Sequence, residues 1–76
     1  MAEAGRTDEA IQHLENLLRV APASAELLSN LGVLYARVGR LQEAVTQMQR
    51  ALELDPGYAP ARENLAALSA HLRNQP

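Results

Sequence analysis

The sequence contains no cysteine, tryptophan, phenylalanine or lysine, and two tyrosines are its only aromatic residues. Without cysteine, disulfide bonds, thiolate metal ligands and thiol nucleophiles are all excluded. With so few aromatic side chains, a core must be built from leucine, alanine, valine, isoleucine and methionine, which suits closely packed helices better than sheets. A length of 76 residues leaves room for one small domain. These residues therefore do not form a multidomain enzyme.

Clustered positive charge and long apolar runs are missing too. The formal net charge is −2, and the seven arginines are scattered singly from Arg6 to Arg73, whereas nucleic-acid binding requires a basic patch. No segment resembles a signal peptide, and none approaches the roughly 18 apolar residues of a membrane span. We therefore expect a soluble, cytoplasmic protein that binds neither nucleic acid nor membrane.

The sequence repeats itself with a period of 34 residues. The period is carried by turn-forming and polar residues as well as by apolar ones. The matched pairs include Gly5 and Gly39, Pro22 and Pro56, Asn30 and Asn64, and Leu31 and Leu65. Because glycine, proline and asparagine recur in the same register as leucine, chance similarity between two leucine-rich helices does not account for the period.

Each period holds two amphipathic helices, in which apolar residues recur three and four positions apart. Helix ends are indicated by Pro22, by Gly39 and by the turn at residues 55–57, and Thr7 and Ser24 are the predicted N-caps. The predicted helices are Thr7–Val20, Ala25–Val38, Leu41–Leu54 and Ala59–Arg73. Because the connectors are short, consecutive helices are expected to pack antiparallel.

This arrangement resembles the tetratricopeptide repeat, a 34-residue helix-turn-helix with the pattern W-x2-L-G-x2-Y, then A-x3-F, then P. One complete match has leucine for tryptophan and methionine for phenylalanine. Its signature residues are Leu28, Leu31, Gly32, Tyr35, Ala44, Met48, Ala51 and Pro56. The resemblance implies an all-α fold, a short α-solenoid of four helices. It divides the single domain into the second half of one repeat (1–24), a complete repeat (25–58), and the first helix of a following repeat or a capping helix (59–76).

The two ends of this array are expected to differ. In the last helix Arg62 replaces the leucine found one period earlier, which suits a polar terminal cap. The first helix has no such replacement, and the chain is expected to begin within a repeat. Its residues Ile11, Leu14 and Leu18 are predicted to form a partly uncovered ridge through which the chain self-associates. The alternative is a monomer whose residues 1–5 fold back over that ridge.

No motif for catalysis, phosphate binding or cofactor binding is present. Glu9 and His13 lie four residues apart on one helix face, but two ligands do not make a metal site. His71 is expected on the helix surface near a C-terminal end. We therefore expect no enzyme activity, no metal and no cofactor.

Function is instead expected from a surface, since repeat arrays bind partners on a concave face lined by the first helix of each pair. The exposed stripes of the second and fourth helices are predicted to form this face. Its predicted peptide-contacting residues are Glu26, Ser29, Asn30, Val33, Arg37, Glu63, Asn64, Ala67 and His71. An asparagine side chain both donates and accepts hydrogen bonds, and the resemblance implies that Asn30 and Asn64 hold a peptide backbone.

The sequence thus predicts a non-enzymatic protein interaction module that binds a peptide or a partner helix in the concave groove. One alternative is a self-associating assembly element, a homo-oligomer formed through the first helix. Another is a tetratricopeptide piece of a larger enzyme or transport protein. The carboxylate clamp of some relatives is not expected, because the chain has no lysine, and Pro60 and Asn64 stand where the last helix would carry basic groups.

Overall fold

A computed structural model describes residues 2–74 of the chain and shows four helices. They are α1 (Ala2–Val20), α2 (Ala25–Arg37), α3 (Leu41–Leu54) and α4 (Ala59–Arg73). The described residues contain no strand, so the predicted all-α fold is confirmed. Helices α3 and α4 have the bounds that the repeat pattern predicts, and α2 ends one residue earlier than predicted.

Helix α1 begins five residues before its predicted start, and Thr7 lies inside the helix rather than at its N-cap. The preceding segment is rich in alanine, which favours helix continuation. Residues 2–5 therefore extend α1 instead of folding back over the apolar ridge, and the alternative that required folding back is wrong for them. Met1 lies outside the described residues.

Local hydrogen bonds hold both ends of α2. The Ser24 side chain accepts a hydrogen bond from the Leu27 N–H at 3.1 Å, as expected of an N-cap. At the other end the Gly39 N–H donates to the Ala36 carbonyl at 3.1 Å, and the Arg40 N–H donates to the Tyr35 carbonyl at 2.9 Å. Gly39 has a φ of 84°. This is a Schellman motif, in which the left-handed residue turns the chain toward α3.

The core consists of two adjoining clusters of buried residues, and each cluster has members from more than one helix. The first contains Ile11, Leu31, Tyr35 and Ala44. The second contains Ala25, Leu28, Ala51 and Ala61. Alanine dominates the α3 side of both clusters, because the backbones of α2 and α3 approach each other closely there.

Gly32 marks the closest approach of α2 and α3. A Cβ atom at this position would lie 3.0 Å from Met48 Cγ and 3.1 Å from the Ala44 carbonyl oxygen. Glycine is therefore required here by space rather than by backbone conformation. This lack of space explains why the repeat signature has a small residue at this position.

The helices form a thin slab of 35 × 34 × 15 Å, in which α2 packs against α1, α3 and α4. Because of this central position, α2 forms one wall of the depressions that lie on its exposed side. In the described part of the chain, no helix combines the length and apolarity that crossing a membrane requires.

Candidate functional site

Two depressions lie side by side on the exposed face of α2. The first has a volume of about 370 Å³ and lies between α1 and α2. The second has a volume of about 350 Å³ and lies between α2 and α4, with α3 beneath it. The first is lined by Ala10, His13, Leu14, Asn30, Val33, Leu34 and Arg37. The second is lined by Val33, Ala36, Arg37, Met48, Asn64, Ala67 and Leu68.

Val33 and Arg37 line both depressions and form the wall between them. They lie four residues apart, so their side chains occupy one face of α2. We call the two depressions and this shared wall the groove. The groove is one continuous surface that crosses the three helices α1, α2 and α4.

The two asparagines occupy equivalent places in the groove. Asn30 is exposed and lines the first depression, and Asn64, one period later, is half-buried and lines the second. Each depression therefore has one side-chain amide among mostly apolar neighbours. This arrangement offers a repeated donor and acceptor along the groove.

The structure places the other predicted contact residues unevenly. Val33, Arg37 and Ala67 line the groove as expected. Glu26 and His71 are exposed but line neither depression, and Glu63 lines a separate hollow of about 370 Å³ on α4.

Ser29 was predicted to contact a peptide, and that prediction is wrong. Its exposed fraction is 2%, because it lies on the buried face of α2 between Ala25 and Gly32. The buried face of α2 is therefore centred on different residues from those that the leucine pattern suggests. Leu27 and Leu34, two leucines of the apolar pattern of α2, are only half-buried.

Several groove residues were not predicted as contacts, namely Ala10, His13, Leu34, Ala36, Met48 and Leu68. The 34-residue period contains the signal that identifies some of them. Leu34 and Leu68 are equivalent positions, one in each depression. Each lies four residues after the asparagine of its depression, Asn30 or Asn64.

Arg37 is the most distinctive polar group of the groove. It is exposed, and among the described residues it makes no hydrogen bond or ion pair. Arg40 behaves differently, since its Nε donates to Glu43 Oε1 at 2.7 Å. Hydrogen bonding to Arg40 lowers the pKa of the Glu43 carboxyl.

A partly buried hydrogen bond joins α1 to α2 beside the groove. The Tyr35 hydroxyl donates to Glu15 Oε2 at 2.5 Å, and the Arg40 guanidinium lies 4.4 Å from the centroid of the tyrosine ring. Burial, followed by the hydrogen bond to Glu15 and its negative charge, raises the pKa of Tyr35 to about 12. The contact is structural, because it ties α1 to α2 and thereby sets the shape of the first depression.

The predicted self-association ridge is corrected by the structure. Ile11 is only 3% exposed and Leu18 packs against both core clusters. Helix α2, which follows α1, covers them within one chain. Leu52, the equivalent of Leu18 one period later, packs against the cluster that contains Ala61 of the following helix α4.

A different face of α1 lacks its covering helix among the described residues. Ala10, Leu14 and Leu17 are equivalent by the period to Ala44, Met48 and Ala51, which α2 buries completely or almost so. In α1 these positions are half-buried or exposed, and Leu17 is 36% exposed. Only Leu14 belongs both to the predicted ridge and to this uncovered α1 face.

Among the described residues, no three histidine, aspartate or glutamate side chains lie close enough together to hold a metal ion. Glu9 and His13 are both exposed on α1. His13 points to the groove, as it lines the first depression.

Comparison with known proteins identifies one family. The family model described as tetratricopeptide repeat matches residues 2–59, which contain α1, α2, α3 and the turn that leads to α4. No curated protein matches the chain significantly.

Proposed function

Because this chain belongs to the tetratricopeptide repeat family, whose repeats are protein interaction modules that typically lack catalysis, we propose that its groove binds a peptide or helix of another protein. The observation that carries this proposal is the shared wall of Val33 and Arg37. It joins two equivalent depressions into one surface, long enough for a continuous segment of a partner.

The chemistry of the groove suits a peptide main chain. Each depression presents one asparagine amide, which can donate to a peptide carbonyl and accept from a peptide N–H. The surrounding side chains, such as Leu34 and Leu68, are half-buried and lose further exposed apolar surface when a ligand covers them. Main-chain recognition by Asn30 and Asn64 would supply affinity, and the apolar walls would select the side chains.

Selection from a displayed peptide library on the immobilised chain supplies a ligand for testing this proposal. The double variant Asn30→Ala, Asn64→Ala should bind the selected peptide more weakly by about 1–3 kcal/mol, while its helicity is unchanged. The matched control is Gln42→Ala, Gln49→Ala, which removes two exposed amides of α3 that do not line the groove. Equal losses in the two double variants would show that the groove is not the binding surface.

A second candidate function, self-association, is favoured by the uncovered α1 face. Ala10, Leu14 and Leu17 form an apolar stripe with spacings of four and three residues, the pattern by which two helices pack. Because Ala10 and Leu14 also line the first depression, such a dimer would occupy part of the groove. The proposed occupant is α1 of a second copy, related by a two-fold axis. Single leucines of this kind gain about 1.5–3 kcal/mol on full burial, so the dimer is expected only at high concentration.

Sedimentation across a concentration series tests this second candidate. The mass should rise above 8.3 kDa at high concentration, and Leu17→Glu should abolish the rise without loss of helicity. Leu54→Glu is the matched control, because Leu54 is also an exposed leucine but lies at the end of α3. A constant monomer mass for the unmodified chain at millimolar concentration would exclude self-association.

A further inference from the structure

We propose that the groove selects a partner segment in which one acidic side chain lies between two apolar ones, with the carboxylate bound by Arg37. The inference rests on the proposed function, since it names the chemistry of the segment that the same groove would hold. It depends on three observations, which are the unpaired state of Arg37, the apolar lining on both sides of it, and its distance from the acidic residues of α2 and α4.

The first observation is that Arg37 makes no hydrogen bond or ion pair among the described residues, whereas Arg40 and Arg50 each make one or more. Arg40 is bonded to Glu43 and lies over the Tyr35 ring, and Arg50 donates to Gln47. An arginine guanidinium remains charged at all physiological pH values and presents a donor fork that matches a carboxylate. Arg37 is therefore available to an external acid.

The second observation concerns the rest of the lining. In both depressions, Arg37 is the only aspartate, glutamate, lysine or arginine side chain, so no acid competes for it inside the groove. Apolar side chains lie on either side of the shared wall, such as Leu14 in the first depression and Leu68 in the second. The groove thus carries local positive charge between two apolar surfaces, although the whole chain has a net charge of −2.

The third observation is the distance between Arg37 and Glu26, the acidic residue of the exposed stripe of α2. Glu26 lies at the opposite end of α2, about 16 Å from Arg37 along the axis at 1.5 Å per residue. Such a separation exceeds the Debye length at physiological salt, about 8 Å. Glu63 lines a hollow on α4 instead of the groove. Neither acid lines the groove beside Arg37.

These positions specify an order of side chains. In an extended peptide, alternate side chains point to one face. The residue two positions before a central acid and the residue two positions after it therefore share its face, and they lie roughly 13 Å from each other. A segment of the form apolar-x-acidic-x-apolar would present its carboxylate to the shared wall and its two apolar side chains to the depressions on either side. A peptide with glutamine in place of the acid would keep the shape and lose the charge.

Three synthetic heptapeptides test the inference by NMR titration of the isotope-labelled chain. The first is acetyl-Ala-Leu-Ala-Glu-Ala-Leu-Ala-amide, and the second has glutamine at the centre. The third is the glutamine peptide with a free C-terminal carboxylate in place of the amide. We expect the glutamate peptide to bind the groove roughly 1.5-fold to fivefold more tightly than the glutamine peptide, the range for an exposed ion pair, and high salt to remove the difference.

Variants of the chain assign the preference to one residue. In Arg37→Gln the two capped peptides should bind equally, and Arg37→Lys, which keeps the charge, should retain part of the preference. Arg19→Gln is the matched control, since it removes an exposed arginine of α1 that does not line the groove and should preserve the full preference.

The outcomes separate this inference from the function on which it rests. Equal binding of the glutamate and glutamine peptides, with shifts confined to groove residues, would overturn the acidic preference and leave the binding function in place. Tighter binding of the peptide with the free carboxylate than of the glutamate peptide would overturn it in favour of recognition of a chain terminus. Shifts that lie outside the groove for all three peptides would contradict both proposals.

Discussion

The hydroxyl of Tyr35 on α2 donates a 2.5 Å hydrogen bond to the carboxylate of Glu15 on α1. Tyr35 is 5% exposed and Glu15 is half-buried, so the bond is partly shielded from water. The ring also lies beneath the guanidinium of Arg40. One tyrosine therefore connects the first helix to the second and to the turn that begins the third, and it does so beside the groove.

The ionisation of Tyr35 makes stability depend on pH in the alkaline range. Its pKa is raised to about 12 in the folded chain, whereas an unfolded tyrosine has a pKa near 10. The stabilisation is therefore fully present below pH ~10 and is lost as the pH rises through ~12, because the unfolded chain releases the proton first. We expect the free energy of unfolding to fall by about 1–3 kcal/mol over this window, measured by urea denaturation.

Two variants verify the source of this pH dependence. Tyr35→Phe should flatten the dependence between these pH values. Tyr58→Phe leaves Tyr35 as the sole tyrosine, and the tyrosinate absorbance of this variant should titrate with a midpoint near 12. A midpoint near 10 would show that the phenol is not held in its neutral form by burial and Glu15.

The close approach of α2 and α3 is tested by Gly32→Ala. The added methyl group meets Met48 and the Ala44 backbone at 3.0 and 3.1 Å, and Met48 itself is fully buried. We expect a loss of about 1–3 kcal/mol in denaturation experiments, despite the better helix propensity of alanine. Gly57→Ala, where the nearest atom is 3.7 Å away, should change stability by less than about 0.5 kcal/mol. Equal stability of the two variants would refute the tight contact.

Gly5 and Gly39 occupy equivalent positions of the period and should respond oppositely to alanine. Gly5 lies inside α1 with no atom within 4 Å of the added Cβ, so Gly5→Ala should stabilise the chain by about 0.5–1 kcal/mol. Gly39 has a positive φ, so Gly39→Ala should destabilise it by about 1–2 kcal/mol. Thermal unfolding measures both changes, and shifts of the same sign would contradict the helical state of Gly5.

The sequence predicts the helices well where their ends depend on local chemistry. Ser24 caps α2 and Gly39 ends it through hydrogen bonds within a few residues, so the pattern alone is sufficient. The start of α1 depends on distant packing. At Gly39 the chain reverses, and α3 then packs on α2. Among the described residues, no separate helix precedes Gly5, so no such reversal is required there.

The candidate site is less predictable from the sequence than the helices are. Asn30 and Asn64, which the exposed stripes and the period single out, line the two depressions of the groove. The burial of Ser29 could not be read from the leucine pattern, since small residues decide how α2 rotates against α3. The covering of Ile11 by α2 likewise depends on which neighbour a helix face meets, and hydrophobic periodicity does not specify the neighbour.

The central claim is that the partner binds in the groove that Val33 and Arg37 divide. The most direct measurement is the mapping of NMR chemical-shift changes when a library-selected peptide is titrated into the isotope-labelled chain. The largest changes should fall on the groove residues of α2 and α4, including Asn30, Val33, Arg37 and Asn64. Changes centred on the outer face of α3, around Gln42 and Gln49, with the groove unaffected, would contradict it.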